Sequence, residues 1–232
     1  MHNSNSRSEQ LRRLVAAAMF SALAYVLMIV FHIKVQFLTF DAKDAVLTVG
    51  GMFLGPLYAA GMSLLVAFLE MVTVSSTGYY GFIMNFVSSA VFSVVAALIY
   101  KYRRKLSGAI LGIGISIVAM PAAMICANLL VTPGYMHAPV SAVVGLIVPL
   151  LLPFNFTKAV LNAALVLLLY KPASRALRAS GLIRKAPASG TEAPKKSAAI
   201  VVAVIAALLL VASLLVFFLV LHGDFELVKE IA

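Results

Sequence analysis

Charge is scarce in this sequence. Only 11% of the 232 residues are charged, 63% are hydrophobic and the mean hydropathy is +1.06. A water-soluble domain carries roughly 25% charged residues, so that class is excluded. Cysteine occurs once, as Cys126 within an apolar run, so the chain cannot form an internal disulfide. No Cys/His spacing suited to a metal occurs, nor does a G-x-x-x-x-G-K-S/T phosphate loop. Intramembrane catalysis is poorly served. The apolar runs offer one mid-helix glutamate, Glu70, no paired aspartates, and no histidine placed beside a serine or cysteine. His32 and His137 fall in connecting loops. The chain therefore reads as a non-enzyme without metal or resident cofactor.

What the sequence has is apolar length. Several runs reach the roughly 20 residues that a helix needs to cross a bilayer. They are continuous rather than alternating, which predicts helices and not a barrel. The net charge of +10 gathers at the ends of these runs. That is the positive-inside pattern of a multi-pass cell-membrane protein, not a nucleic-acid-binding surface. Arg12 and Arg13 precede an apolar run over 14–31 that is long for a signal peptide, and no small-x-small cleavage site follows it. It reads as a retained first helix.

Spans are expected at 11–33, 44–73, 81–100, 106–132, 143–170 and 198–221. The segment 44–73 is too long for one pass and short for two, and charge decides between them. As one pass, it would put "KYRRK" (101–105) on the opposite side from Arg7, Arg12 and Arg13 and from the basic stretch 171–196. A tight turn at Gly55-Pro56 makes two passes and brings all three clusters to the cytoplasmic face. The missing length implies a thinned bundle or a break filled by loop.

The expected fold is all-α: a six-helix membrane bundle plus an extra C-terminal helix. Residues 1–10 form a cytoplasmic tail, 11–172 the bundle, 173–197 a basic linker with low-complexity "APASGTEAPKKS", 198–221 the added helix and 222–232 an external tail. Segments 34–43, 75–80 and 133–141 face outward. Lys34 and Lys43 there run against the charge bias.

Polar residues gather on few faces. Asn155, Lys158 and Asn162 form one stripe at i, i+3 and i+7. A lysine this deep costs a few kcal/mol and usually faces protein or a cavity. Two roles are open to Lys158: pairing with Glu70 to hold the bundle, or donating to a bound ligand. Asn85, Ser88 and Ser89 share a second face, Ser63 and Glu70 a third, and Asn128 lies in "ANLLVTPGYM". The serines read as helix-packing polar residues. The asparagines, costlier to bury, suggest an amide-rich pocket for a neutral, planar molecule with several acceptors and hydroxyls. Phe37, Phe40, Tyr79, Tyr80 and Tyr135 crowd the same side, as stacking partners for a ring or as an interfacial belt. Asp44 is expected to cap the second helix, and Asp41 stands just before it. Ala18-x-x-x-Ala22 lies on a small-residue face of the first helix that permits close helix approach.

Together these residues resemble the riboflavin-specific substrate-binding (S) component of energy-coupling-factor (ECF) vitamin transporters, over about 11–172. The resemblance is carried by Ala18-x-x-x-Ala22, "FLTFDAKD", Gly55-Pro56, Asn85 in "GFIMNF", "ANLLVTPGYM" and, above all, "PFNFTK". It implies that Asn128, Asn155 and Lys158 hold a flavin and that Phe40 and Asp41 lie in a loop that closes over it. Asn85 and Tyr135 transfer less directly. It further implies that Ala18 and Ala22 dock onto a transmembrane coupling protein, with two ATP-binding cassette ATPases driving the cycle. Lys43 and the seventh helix depart from the pattern. The alternatives are an S component for another vitamin or flavin analogue, and an ion-coupled secondary transporter using Glu70 or Asp41. The internal symmetry usual in the latter is not evident.

Overall fold

The computed structural model describes residues 3–31, 33–35, 38–181 and 196–219. Phe37, His32, most of the linker and the 222–232 tail lie outside the described residues. Helix α1 (Asn3–Val30) leads into a hairpin of β1 (Ile33–Val35) and β2 (Leu38–Phe40), then into α2 (Lys43–Leu54) and α3 (Pro56–Thr73). There follow α4 (Gly78–Tyr102), α5 (Leu106–Met136), α6 (Val140–Leu146), a π-helical segment (Ile147–Leu151), α7 (Leu152–Ala179) and α8 (Lys196–Leu219).

Among the described residues, five helical segments are long and apolar enough to cross a membrane: Arg7–Val30, Pro56–Thr73, Gly78–Tyr102, Leu106–Met136 and the continuous Val140–Ala179. Large apolar side chains such as Leu14, Met19, Leu23, Leu64 and Phe68 stand exposed along them, as lipid contact requires. Helix α2 differs. Its 12 residues extend only about 18 Å, well under the ~30 Å hydrocarbon core. It is buried along almost its whole length and packs against α1, α3, α4 and α7.

The β1–β2 hairpin fills the missing length ahead of α2. Its strands pair antiparallel in the register Ile33↔Phe40, Lys34↔Thr39 and Val35↔Leu38. The sequence reading placed loop there, so this is a correction. Three-residue strands carry too little periodicity to stand out.

The turn between α2 and α3 is where Gly55-Pro56 places it. Gly55 adopts φ 118°, ψ 165°, a region open to glycine and costly for other residues. Pro56 opens α3 at the position where its missing N–H costs nothing. Small residues then let the backbones close. A Cβ built on Gly51 would meet the Ala59 Cβ at 2.6 Å, and one on Gly112 the Ala96 carbonyl oxygen at 2.8 Å. Beside the latter contact, the Ser116 hydroxyl donates across the interface to the Phe92 carbonyl at 2.9 Å. In lipid, close van der Waals packing and such bonds replace the hydrophobic drive between helices.

Phe53, Tyr100 and Tyr170 close the far ends of α2, α4 and α7. Their rings lie 5.7 to 5.9 Å apart, and the two tyrosine hydroxyls bond at 3.0 Å. The opposite, hairpin end of the bundle holds the cavity.

Candidate functional site

The last span is not a plain helix where the "PFNFTK" motif begins. Pro149 and Pro153 each lack an N–H and crowd the preceding turn. The chain responds with the π-helical segment, in which the Leu152 N–H reaches back five residues to the Ile147 carbonyl. Such one-turn bulges relieve strain within a helix and recur at functional sites. Here the bulge immediately precedes Phe154, Asn155 and Lys158.

These three side chains line a cavity of about 260 Å³, near the lower end of small-molecule pockets. α4 contributes Tyr80, Met84, Asn85 and Ser88, and α5 contributes Met124, Asn128, Thr132 and Tyr135. Glu70, Ser75, Ser76, Thr77, Leu38 and Thr39 complete the hairpin side.

Five of the seven residues expected to contact ligand thus share one cavity: Asn85, Asn128, Tyr135, Asn155 and Lys158. Phe40 and Asp41 are not in the lining. Phe40 packs edge-on against Phe154, ring centroids 5.5 Å apart, so it backs a lining residue. Asp41 sits buried behind Lys158.

A chain of charges crosses the hairpin end. Lys158 Nζ donates to Asp41 Oδ2 at 3.0 Å and to the Thr39 carbonyl at 3.3 Å. Lys43 Nζ donates to the same Asp41 oxygen at 2.9 Å and to Glu70 Oε2 at 2.7 Å. Asn85 Nδ2 donates to the other Glu70 oxygen at 2.8 Å. The Lys43 backbone N–H adds a 3.2 Å bond to Asp41 Oδ1. Burial disfavours the charged Asp41 carboxylate, but the ammonium groups of Lys158 and Lys43 outweigh burial and hold the carboxyl well below the usual range. Asn162 completes the clamp. It accepts from the Ala45 N–H at 2.9 Å and donates to the Asp41 and Lys158 carbonyls, each at 3.1 Å.

One open alternative closes and three expectations change. Lys158 pairs with Asp41, not Glu70. Lys43 is not in an outward loop: it is 0% exposed at the start of α2 and bridges two carboxylates. Asp44 does not cap α2. The cap position is Ala42 with no side-chain bond, and Asp44 turns inward to accept from the Ser89 hydroxyl. Glu70 lies in the last turn of α3, at the cavity wall, rather than mid-helix. Sequence reasoning also passed over Thr132 and Phe154. Thr132 had a usable signal, since it stands one turn after Asn128 and donates to its carboxamide at 2.9 Å.

The cavity can make many hydrogen bonds while carrying little net charge at its lysine. An ammonium has three donors. Lys158 is 3% exposed and spends two on Asp41 and Thr39, which leaves one for the cavity. Asn128 and Asn155 each donate to a carbonyl four residues back, at 2.7 Å, and keep further amide valences.

Residues 12–170 match the family profile described as "ECF transporter, substrate-specific component". α8 lies beyond the matched stretch. A solved S component of a bacterial ECF transporter superposes with a TM-score of 0.62 at 25% identity, covering 73% of this chain and 99% of that one. No curated protein matches the sequence. With a profile spanning well over half of its length and a matching bundle, the chain belongs to the family of substrate-specific components of ECF transporters.

Proposed function

We propose that this S component captures riboflavin from outside the cell and delivers it inward. Membership of the family carries partnership with an ECF module of ATPases and a transmembrane coupling component, which supplies the energy. The observation that carries the flavin reading is the chemistry of the cavity. Three carboxamides, of Asn85, Asn128 and Asn155, and one ammonium converge beside Tyr80, Tyr135 and Phe154. Because Asp41 balances Lys158, the lysine offers a directional donor without demanding an anionic ligand. A flat, uncharged ring with several carbonyl and nitrogen acceptors satisfies such a wall. The hydroxyl-rich Ser75-Ser76-Thr77 turn suits a polyol tail. Asn128, Asn155 and Lys158 are the principal ring contacts. Asn85 and Tyr135 flank them, and Phe40 and Asp41 act from behind as supports of Phe154 and Lys158.

Docking to the coupling component uses Ala18 and Ala22. Both are exposed on α1, whereas Ala16 and Ala24 face the bundle. The N-terminus is cytoplasmic, the vitamin-binding unit is 11–172, and α8 is an addition to it. Glu70 and Asp41 are poor proton carriers for a secondary transporter, since each is locked to at least one lysine.

The test is direct. Protein purified in detergent from riboflavin-fed cells should be yellow, and added riboflavin should lose fluorescence as it packs against aromatic rings. Colourless protein that leaves riboflavin fluorescence untouched rejects the flavin and points to another vitamin.

A further inference from the structure

Hydroxyl groups inside these helices mostly follow a rule; two buried serines among the described residues, Ser21 and Ser88, have no partner, and of the two Ser88 alone lines the cavity. A serine or threonine in a helix commonly donates to the carbonyl four residues back. Ser63 does so to Ala59 at 2.8 Å, Ser93 to Ser89 at 2.6 Å and Ser116 to Gly112 at 2.9 Å. Thr48 does so to Asp44 at 2.6 Å. Ser88 is 2% exposed, and its hydroxyl has no hydrogen-bond partner among the described residues. Its residue four back is Met84, and both line the cavity. The neighbouring Ser89 turns away to Asp44. A buried hydroxyl left unpaired carries a substantial penalty, and a group that forgoes its local carbonyl while lining a cavity is aimed at an occupant.

We propose that Ser88 is a ligand-contacting, specificity-determining residue, whose hydroxyl bonds a polar atom on the ring of the bound flavin. This deepens the flavin reading and rests on it. Depth selects the ring over the tail. Ser88 stands ten residues into α4, about 15 Å from its start, and Met124 also lies in the lining, beyond Asn128 from the end of α5. The Ser75-Ser76-Thr77 turn, suited to a polyol, is at the mouth. Ser88 on α4 and Lys158 on α7 then hold the ring from two walls, which fixes its rotation in the cavity.

The experiment titrates riboflavin and lumiflavin, the same ring without the hydroxylated tail, against wild type, Ser88→Ala and Ser93→Ala by fluorescence quenching. Thermal unfolding of the ligand-free proteins runs alongside. Ser88→Ala should weaken both flavins by roughly three- to tenfold. Its ligand-free melting temperature should be unchanged or higher, since an orphan hydroxyl is gone. Ser93→Ala, whose hydroxyl bonds the Ser89 carbonyl and the Ser63 hydroxyl and does not line the cavity, should bind both flavins like wild type. Unchanged affinity of Ser88→Ala, with wild type binding well, overturns the contact and leaves the flavin reading standing. A loss confined to riboflavin overturns the ring assignment. Wild type that binds neither flavin overturns the flavin reading and this contact together.

Discussion

Replacing Lys158 by methionine removes an ammonium while keeping most of the stem, and two consequences can be separated. The first is loss of the donor facing the cavity. A hydrogen bond from a charged group contributes about 1.5–3 kcal/mol, so riboflavin affinity should fall roughly ten- to a hundredfold or slightly more. The second concerns Asp41, which keeps Lys43 at 2.9 Å and the Lys43 N–H at 3.2 Å but loses the bond at 3.0 Å. Stripping a buried carboxylate of its only cation costs about 3–5 kcal/mol. With one cation retained, a smaller loss of about 1–3 kcal/mol is expected. The double variant Lys158→Met with Asp41→Asn separates the effects. It should regain part of the stability, because the uncompensated charge is removed, and none of the affinity. Fluorescence titration and thermal unfolding of the same detergent preparations read both quantities. A folded Lys158→Met protein with wild-type affinity would show that the lysine serves only Asp41 and the Thr39 carbonyl, and the ligand-facing donor would have to be sought elsewhere.

Three other outcomes follow from the same geometry. Lys43→Met leaves Glu70 with no cation and Asp41 with Lys158 alone, so it should destabilise by about 3–5 kcal/mol, more than Lys158→Met does; equal melting temperatures for the two variants contradict that ranking. Gly51→Val pushes side chain into the Ala59 contact, where even a Cβ has only 2.6 Å, and should cost about 1–3 kcal/mol in the same unfolding assay. The pair Ala18→Leu and Ala22→Leu, on an exposed face, should leave riboflavin titration unchanged but abolish vitamin uptake and co-purification with the coupling component. Normal uptake by that variant places the docking face elsewhere.

The bundle was legible because lipid imposes continuous apolar runs, and because Gly55-Pro56 is a local signal that charge placement could arbitrate. The hairpin was not, since "KVQFLTF" is too short to advertise strands and is held by what surrounds it. The site was half legible. Asn128, Asn155 and Lys158 reveal themselves as polar groups in apolar surroundings, whatever their partners. Partner choice is a different kind of information. Lys158 meets Asp41 across 117 positions and Lys43 meets Glu70 across 27, and nothing local distinguishes those pairings from the Lys158–Glu70 pair that the sequence left open as one of two roles. Lys43 misled for the same reason. Next to a polar stretch it reads as solvent-exposed, and only the fold brings two carboxylates around it.

The five-residue widening before Leu152 has a bearing on how such a wall is retuned. A π-bulge amounts to one residue inserted into an α-helix, and each residue turns the following side chains by about 100°. Removing a single residue from 147–151 would swing the whole amide-and-ammonium stripe away from the hollow without altering one letter of it. Recognition here is therefore encoded in chain length as much as in composition. Two relatives sharing "PFNFTK" but differing by one position upstream would present the same chemistry to different neighbours.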